Sequence, residues 1–181
     1  MSTEYEVKGS TIQTKYDFVQ ARYGPLACGK LEAVFKHKGL YPVHSSSWYS
    51  YDLYVELLES IAVGCFGGDL ARLVEVGEYS ANDALSSMYR AFVSEDGFLD
   101  FLDGMTSLHH MFYSHGNIEV EVHPDQKGCD IVHRHKPKAA EADQYIASGF
   151  YQKSAELHGL TNACCSFSLE RRGVHFVLTW A

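Results

Sequence analysis

The sequence predicts an α+β fold in which an N-terminal helical bundle packs on a C-terminal four-stranded antiparallel sheet of ββαββ order. Through roughly the first 116 residues, apolar side chains recur at three- and four-residue steps, which is typical of amphipathic helices. After that point the period changes to two, which is typical of strands, and one helical stretch interrupts it. Short turns join the strands in pairs, so we expect antiparallel neighbours.

Five helices are predicted in the first part of the chain, each bounded by glycine, proline or a capping side chain. Their predicted ranges are 14–23, 26–38, 50–66, 69–93 and 98–113. Asp69 is expected to cap the fourth of these helices. Gly77 lies inside that helix, where glycine costs about 1 kcal/mol relative to alanine, so we expect a neighbouring helix to approach closely there.

The last part of the chain reads as two hairpins around one helix. Strands are predicted at 117–123, 128–135, 162–169 and 174–180, and the helix is predicted at 139–158. We therefore expect one domain over 1–181, with a helical part over about 1–116 and a ββαββ part over about 117–181.

Composition excludes several classes of function. Lys and Arg total 15 against 23 Asp and Glu, a formal charge of −8 in 181 residues, which suits neither nucleic acid nor an anionic membrane surface. No segment reaches the roughly 18–20 apolar residues of a membrane span, and the N-terminus lacks the layout of a signal peptide. The sequence therefore predicts a cytoplasmic protein. Its five cysteines, scattered except for one adjacent pair, are expected to be free thiols that are mostly buried.

Helical spacing places His109 on the apolar face of the 98–113 helix and turns His110 about 100° away. An imidazole that faces an apolar pocket is suited to be an axial ligand of haem iron. The alternative, which the residues alone favour, is a core histidine that is hydrogen-bonded to a backbone carbonyl.

Other candidate metal ligands are weaker. His133 and His135 form an H-x-H pair on one strand face, with His123 across the hairpin, but the further ligands of a tetrahedral zinc site are missing. We therefore expect solvated histidines on an exposed sheet face. Cys164 and Cys165 point to opposite faces of their strand, so at most one of them could join a common site.

No motif indicates an enzyme, since the chain has no nucleophile elbow, glycine-rich dinucleotide loop or Walker sequence. Aromatic residues cluster over 48–54, where they could line a ligand cavity or close the core at a helix start. We expect a pocket between helices and sheet, lined by Trp48, Tyr51, Tyr54, Phe101, Met105, Leu108 and Phe112.

Several short motifs carry a family resemblance. They are Val7-Lys8-Gly9-Ser10-Thr11-Ile12, Tyr23-Gly24, Ser47-Trp48-Tyr49, Tyr51-x-x-Tyr54, Tyr89-x-x-Phe92 and Phe112-Tyr113-Ser114-His115-Gly116. Over nearly its whole length, the chain resembles a delta-proteobacterial (myxobacterial-type) paralogous family of unknown function. That family is similar to a superfamily that contains haem nitric-oxide/oxygen-binding domains, 4-vinyl-reductase-type domains and subunits of the TRAPP vesicle-transport particle. The resemblance implies the same helices-then-ββαββ fold.

The haem-binding branch of that superfamily has its axial histidine in a helical pattern similar to F-L-x-x-L-D-x-L-H. This chain matches the pattern at Phe101, Leu102, Leu108 and His109. The branch holds the haem propionates with a Y-x-S-x-R motif on a strand, whereas the corresponding stretch here is Arg134-His135-Lys136-Pro137-Lys138. Lysines there could pair with propionates as point charges but lack the fork geometry of arginine, and from the residues alone this basic stretch is expected to be a solvated strand end.

The sequence therefore predicts a non-enzymatic bacterial sensory or regulatory domain that binds a small apolar ligand or a partner protein. One alternative is a haem-based nitric-oxide/oxygen sensor with His109 as the proximal ligand, in which case haem is the cofactor and His109 its only protein ligand to metal. A further alternative is an interaction scaffold that forms a homodimer through a helix face.

Overall fold

A computed structural model describes residues 5–86, 90, 97–125, 127–134, 139–171 and 173–181. Within these residues, the helices are α1 (Gly9–Tyr23), α2 (Pro25–Lys36), α3 (Tyr51–Phe66), α4 (Leu73–Ser86), α5 (Phe98–Asp103), α6 (Met105–Phe112) and α7 (Glu141–Leu157). The strands are β1 (Glu6–Lys8), β2 (Trp48–Ser50), β3 (Asn117–Val122), β4 (Gly128–Arg134), β5 (Cys164–Glu170) and β6 (Gly173–Thr179).

The main sheet has the strand order β3-β4-β6-β5, and every neighbouring pair is antiparallel. The hairpins β3–β4 and β5–β6 are joined through α7, so β4 and β6 pair at the centre of the sheet. This arrangement confirms the predicted α+β class and the ββαββ order. Among the described residues, no helix combines the length and apolar character needed to cross a membrane.

Several elements differ from the sequence prediction. The antiparallel pair β1–β2 was not predicted, because three residues are too few for an alternating pattern to show. Helix α1 begins at Gly9 instead of residue 14. The predicted 98–113 helix is two helices, α5 and α6, which meet at Gly104.

The predicted helix over 69–93 begins as a 3-10 turn at Leu70–Arg72, where the Asp69 side chain accepts a hydrogen bond from the Ala71 amide. Helix α4 then runs to Ser86, and the rest of the prediction, with Tyr89 and Phe92 of the resemblance motifs, lies outside the described residues.

Helices α4 and α7 cross at a pair of glycines. A Cβ atom on Gly77 would lie 2.1 Å from the Ile146 carbonyl oxygen, and one on Gly149 would lie 2.1 Å from the Val74 carbonyl oxygen. The two backbones therefore touch, and the close helix approach that Gly77 predicted is present. This contact brings α4 and α7 together along one side of a cavity.

The buried apolar side chains form two clusters. One joins α1, α3, the start of α4 and the N-terminal part of α7, and the other joins α5 and α6 to the inner face of the sheet and to α7. All five cysteines are free thiols; Cys28 and Cys129 are buried, while Cys164 is exposed.

Candidate ligand cavity

A cavity of about 240 Å³ lies where α1, α4, α6 and α7 meet strands β3 and β4. Apolar side chains from α6 and α7 form much of its wall: Met105, Leu108, Phe112, Ile146 and Phe150. Polar groups from α1 and α4 also line it: Ser10, Thr11, Lys15 and Ser80. An apolar wall with a few polar groups is the usual composition of a small-molecule site.

His109 lies on this wall and is only 5% exposed. Its Nε2 atom is 3.0 Å from the His115 carbonyl oxygen. Because a carbonyl can only accept, Nε2 carries the proton in this arrangement. The ring stacks on Tyr113, with centroids 4.9 Å apart and planes 15° apart. His109 thus faces the cavity as predicted, and it also has the carbonyl bond of the alternative interpretation.

The other predicted pocket residues divide into two groups. Met105, Leu108 and Phe112 line the cavity together with His109. Trp48, Tyr51, Tyr54 and Phe101 do not. Trp48 is 38% exposed on β2, where the Lys8 ammonium lies 4.6 Å from its ring centroid.

Tyr51 and Tyr54 are buried in the helical cluster, and Phe101 is buried in the cluster against the sheet. The Tyr51 hydroxyl donates to one carboxylate oxygen of Asp143 at 2.9 Å, and the Tyr113 hydroxyl donates to the other at 2.9 Å. Burial is the main cause that raises the pKa of both tyrosines, and the negative charge of Asp143 raises it further. Tyr51 and Tyr113 therefore hold a buried carboxylate beside the cavity, and of the two only Tyr113 also lines it.

His133 was expected to be solvated, and this prediction is wrong. It is 3% exposed, because the face of β4 that it shares with Cys129 and Ile131 packs under α7. Its Nε2 forms a hydrogen bond with the Tyr151 hydroxyl, which offsets the cost of burying the imidazole. His133 also lines the cavity.

His123 lies away from His133. Its Nε2 is 2.9 Å from one oxygen of Asp130, whose other oxygen is 2.6 Å from His175 Nε2. The hydrogen bond from His175, with one from His123, lowers the pKa of Asp130. His135 lies outside the described residues. In the part of the chain that the structure describes, no group of three or more His, Cys, Asp or Glu side chains is placed to hold a metal ion.

Sequence reasoning missed Lys15, which lies in α1 and lines the cavity while only 2% exposed. Its Nζ donates to Ser80 Oγ at 2.8 Å and to Thr14 Oγ1 at 3.4 Å. Burial lowers the pKa of Lys15 to about 8, although the charges of Asp143 and Asp83 act in the opposite direction. The spacing Ile12, Lys15, Val19 would have placed it on the buried face if α1 had been predicted to begin at Gly9.

The fold is similar to that of solved H-NOX proteins. The A71G mutant of the unliganded Fe(II) H-NOX protein from K. algicida matches with a TM-score of 0.72 and 14% identity, covering 96% of each chain. An Fe(II) H-NOX triple mutant from S. oneidensis matches with a TM-score of 0.73 and 13% identity, covering 96% of each chain. The Fe(II)NO form of an S. oneidensis H-NOX protein gives 0.71 and 12%, covering 96% of this chain and 99% of the other.

At this level of identity, the likeness shows the fold alone. No protein-family model and no curated protein matches the chain. The fold of these neighbours is the fold that the superfamily resemblance implies, whereas the nearness to the delta-proteobacterial family is carried by the sequence motifs only.

The pattern F-L-x-x-L-D-x-L-H fits this chain in a second register, in which Phe98, Leu99, Leu102 and Asp103 occupy the first four fixed positions. In that register Met105 replaces leucine and Thr106 stands at the position of the histidine. The Thr106 hydroxyl donates to the Ile118 carbonyl at 2.7 Å, so it holds α6 against β3.

Haem binding would require an axial ligand and sufficient volume in this cavity, and the described residues supply the ligand. His109 supplies a buried imidazole on the cavity wall, which is the right donor chemistry for an axial ligand. The volume of about 240 Å³ is below the roughly 300–1,000 Å³ of pockets for drug-sized ligands, and a porphyrin is larger still. The cavity as it stands is therefore too small to enclose a haem.

Proposed function

We propose that this chain is a non-enzymatic sensory domain of the bacterial cytoplasm, in which occupancy of the cavity is the signal. The position of His109 carries the proposal, because a buried titratable ring on a cavity wall can respond to an occupant. His109 stacks on Tyr113, which forms a β-bridge with Val7 of β1. A conformational change at the cavity could thus be transmitted through these contacts to the β1–β2 pair, where a partner protein could recognise it.

Haem is the ligand that the comparisons favour over the small apolar molecule predicted from the sequence, because the neighbours are H-NOX proteins. His109 would be its axial ligand, and the bound iron would supply a site for nitric oxide or oxygen. Two changes would be needed first. His109 Nε2 would have to leave the His115 carbonyl, and the cavity would have to widen between α6 and the sheet.

Titration of the purified protein with haemin tests this ligand directly. If His109 is the axial ligand, one equivalent gives a Soret band that His109→Ala removes and His110→Ala keeps, since His110 is the exposed neighbour. Thr106→Ala is a second control and should also keep the band, because threonine is not a haem ligand. A Soret band that survives in His109→Ala, or the absence of a stoichiometric band, contradicts the assignment.

A small molecule other than haem is the second candidate. The cavity volume favours it, and the polar groups that α1 and α4 contribute to the wall could orient such a molecule. Buried Ser10 Oγ and Thr11 Oγ1 have no hydrogen-bond partner among the described residues, so they are available to an occupant. Absence of haem binding would leave this candidate as the function of the cavity. The homodimeric scaffold stays a prediction.

A further inference from the structure

Lys15 has no role in haem binding as proposed, and its surroundings are unusual for a lysine. The side chain is buried on the cavity wall, where an unpaired ammonium is costly. Among the described residues, its Nζ forms no ion pair with a carboxylate and contacts two hydroxyl oxygens, of Ser80 and Thr14.

Both hydroxyls can only accept a hydrogen bond from Lys15, because each donates its own hydrogen to a backbone carbonyl. Ser80 Oγ donates to the Val76 carbonyl at 2.8 Å, and Thr14 Oγ1 donates to the Thr11 carbonyl at 2.9 Å. An ammonium has three hydrogens to place, whereas a neutral amine has two hydrogens and one lone pair. Two acceptors therefore match the neutral amine and leave its lone pair without a donor among the hydroxyls that Lys15 contacts.

The lowered pKa makes the neutral amine accessible, although most Lys15 side chains keep their proton at pH 7. Burial lowers the pKa of Lys15 to about 8. At pH 7 about one tenth of such lysines are neutral, against roughly one in three thousand for a lysine of ordinary pKa. A desolvated amine of this kind is a nucleophile towards carbonyl compounds.

The charges around Lys15 decide which ligand suits it. Asp17 and Asp83 also line the cavity, and Asp143 acts on Lys15 from α7, so an anionic ligand would meet three carboxylates. A neutral ligand avoids that repulsion. If it forms a protonated imine with Lys15, the positive charge is retained and the same carboxylates stabilise it.

We propose that the cavity binds a small neutral aldehyde or ketone as a Schiff base on Lys15 Nζ. The amine lone pair attacks the carbonyl carbon and forms the Nζ–C bond. Both amine hydrogens leave with the carbonyl oxygen as water, the imine takes up a proton, and no electrons are exchanged. The apolar wall around Leu108, Phe112 and Phe150 holds the body of the ligand. This inference rests on the proposed function, because it assigns a ligand class to the same cavity.

Borohydride trapping with cinnamaldehyde tests the inference. The full chain is incubated with cinnamaldehyde, reduced with borohydride and measured by intact mass, and the labelled lysine is located by peptide mapping. We expect one adduct per chain, formed at Lys15 at least about tenfold faster than at any other lysine, which corresponds to about 1.4 kcal/mol. Lys15→Met removes this adduct, and Lys30→Met, a matched change at an exposed lysine of α2, keeps it.

Labelling spread over the exposed lysines, or an unchanged adduct in Lys15→Met, overturns the inference. If Lys15→Met does not fold, Lys15→Arg serves instead, because a guanidinium keeps the charge and forms no such imine. Calorimetry with cinnamyl alcohol separates this result from the proposed function. Alcohol binding without a Lys15 adduct overturns the Schiff base and leaves the cavity as a ligand site, whereas binding of neither compound, with no haemin binding, overturns both.

Discussion

At the scale of the residue, Lys15, His109 and His133 are buried basic side chains that line the cavity. Spacing alone placed His109 on the apolar face of its helix, and it is buried there. Lys15 was missed because a charged residue is normally assigned to solvent, and the hydroxyl of Ser80 that accepts from it lies on α4, 65 residues away. His133 was misjudged because the alternation of a strand does not show which of its faces the next helix, α7, covers.

Replacing Lys15 with methionine tests how much the burial of the lysine lowers the free energy of unfolding. The folded pKa is about 8 against 10.5 for a free lysine, so between these values the unfolded chain holds a proton that the folded chain has released. The contribution of Lys15 to the free energy of unfolding therefore rises with pH across this window. Well below pH 8, burial of the protonated side chain lowers the free energy of unfolding by its full amount, on the order of 3 kcal/mol. We expect Lys15→Met to be more stable than the parent at pH 7.

Urea unfolding of both proteins at pH 7 and at about pH 9.5 measures this effect. The difference between their free energies of unfolding should decrease by about 2 kcal/mol as pH rises from 7 to about 9.5. Asp143, Asp83 and the tyrosines with raised pKa are common to both proteins, so their titration cancels in the difference. A gap that is constant or widens with pH would contradict the buried, partly neutral lysine.

At the scale of the element, helix existence followed from periodicity, and helix ends followed from glycine and proline, as at Gly24 and Gly67. The division of the 98–113 segment could not be read from its apolar face, because α5 and α6 continue the same stripe across Gly104. The β1–β2 pair depends on hydrogen bonds between segments some forty residues apart, for which three-residue strands carry no signal.

The glycine contact between α4 and α7 predicts opposite effects for the same substitution at different positions. Gly149→Ala would put a methyl group into the Val74 carbonyl, so the helices must separate, at a cost of about 1–3 kcal/mol. Gly64→Ala, in an exposed part of α3 with no atom near the new methyl, should instead stabilise by up to about 1 kcal/mol. Thermal unfolding of both variants measures the difference, and equal effects would refute the backbone contact.

At the scale of the whole molecule, the order of elements predicted the fold, since two hairpins flanking one helix have few ways to form an antiparallel sheet. The cavity could not be placed in the same way, because its wall combines α1, α4, α6, α7 and the sheet. Of the predicted pocket residues, those in α6 line it, while the aromatic residues of 48–54 pack in the core or at the surface.

The single domain over 1–181 remains a prediction, and unfolding can test it. Helix α7 contributes Ala142 and Ile146 to the helical cluster and Tyr151 and Ala155 to the cluster against the sheet. Because one helix joins both clusters, we expect far-ultraviolet circular dichroism and tyrosine fluorescence to report one coincident urea transition. Two separated transitions would mean that the helical and ββαββ parts fold independently.

The position of Trp48 gives the molecule an intrinsic optical reporter. Its strand pairs with β1. In β1 the Glu6 amide donates to the Ser114 hydroxyl and the Glu6 carbonyl accepts from the Ser114 amide, just beyond the ring that stacks on His109. A rearrangement of that ring that moves β1 would shift the Lys8 ammonium over the indole and alter the indole emission. With Trp180 replaced by phenylalanine, unlabelled protein could signal occupancy of its interior by fluorescence alone.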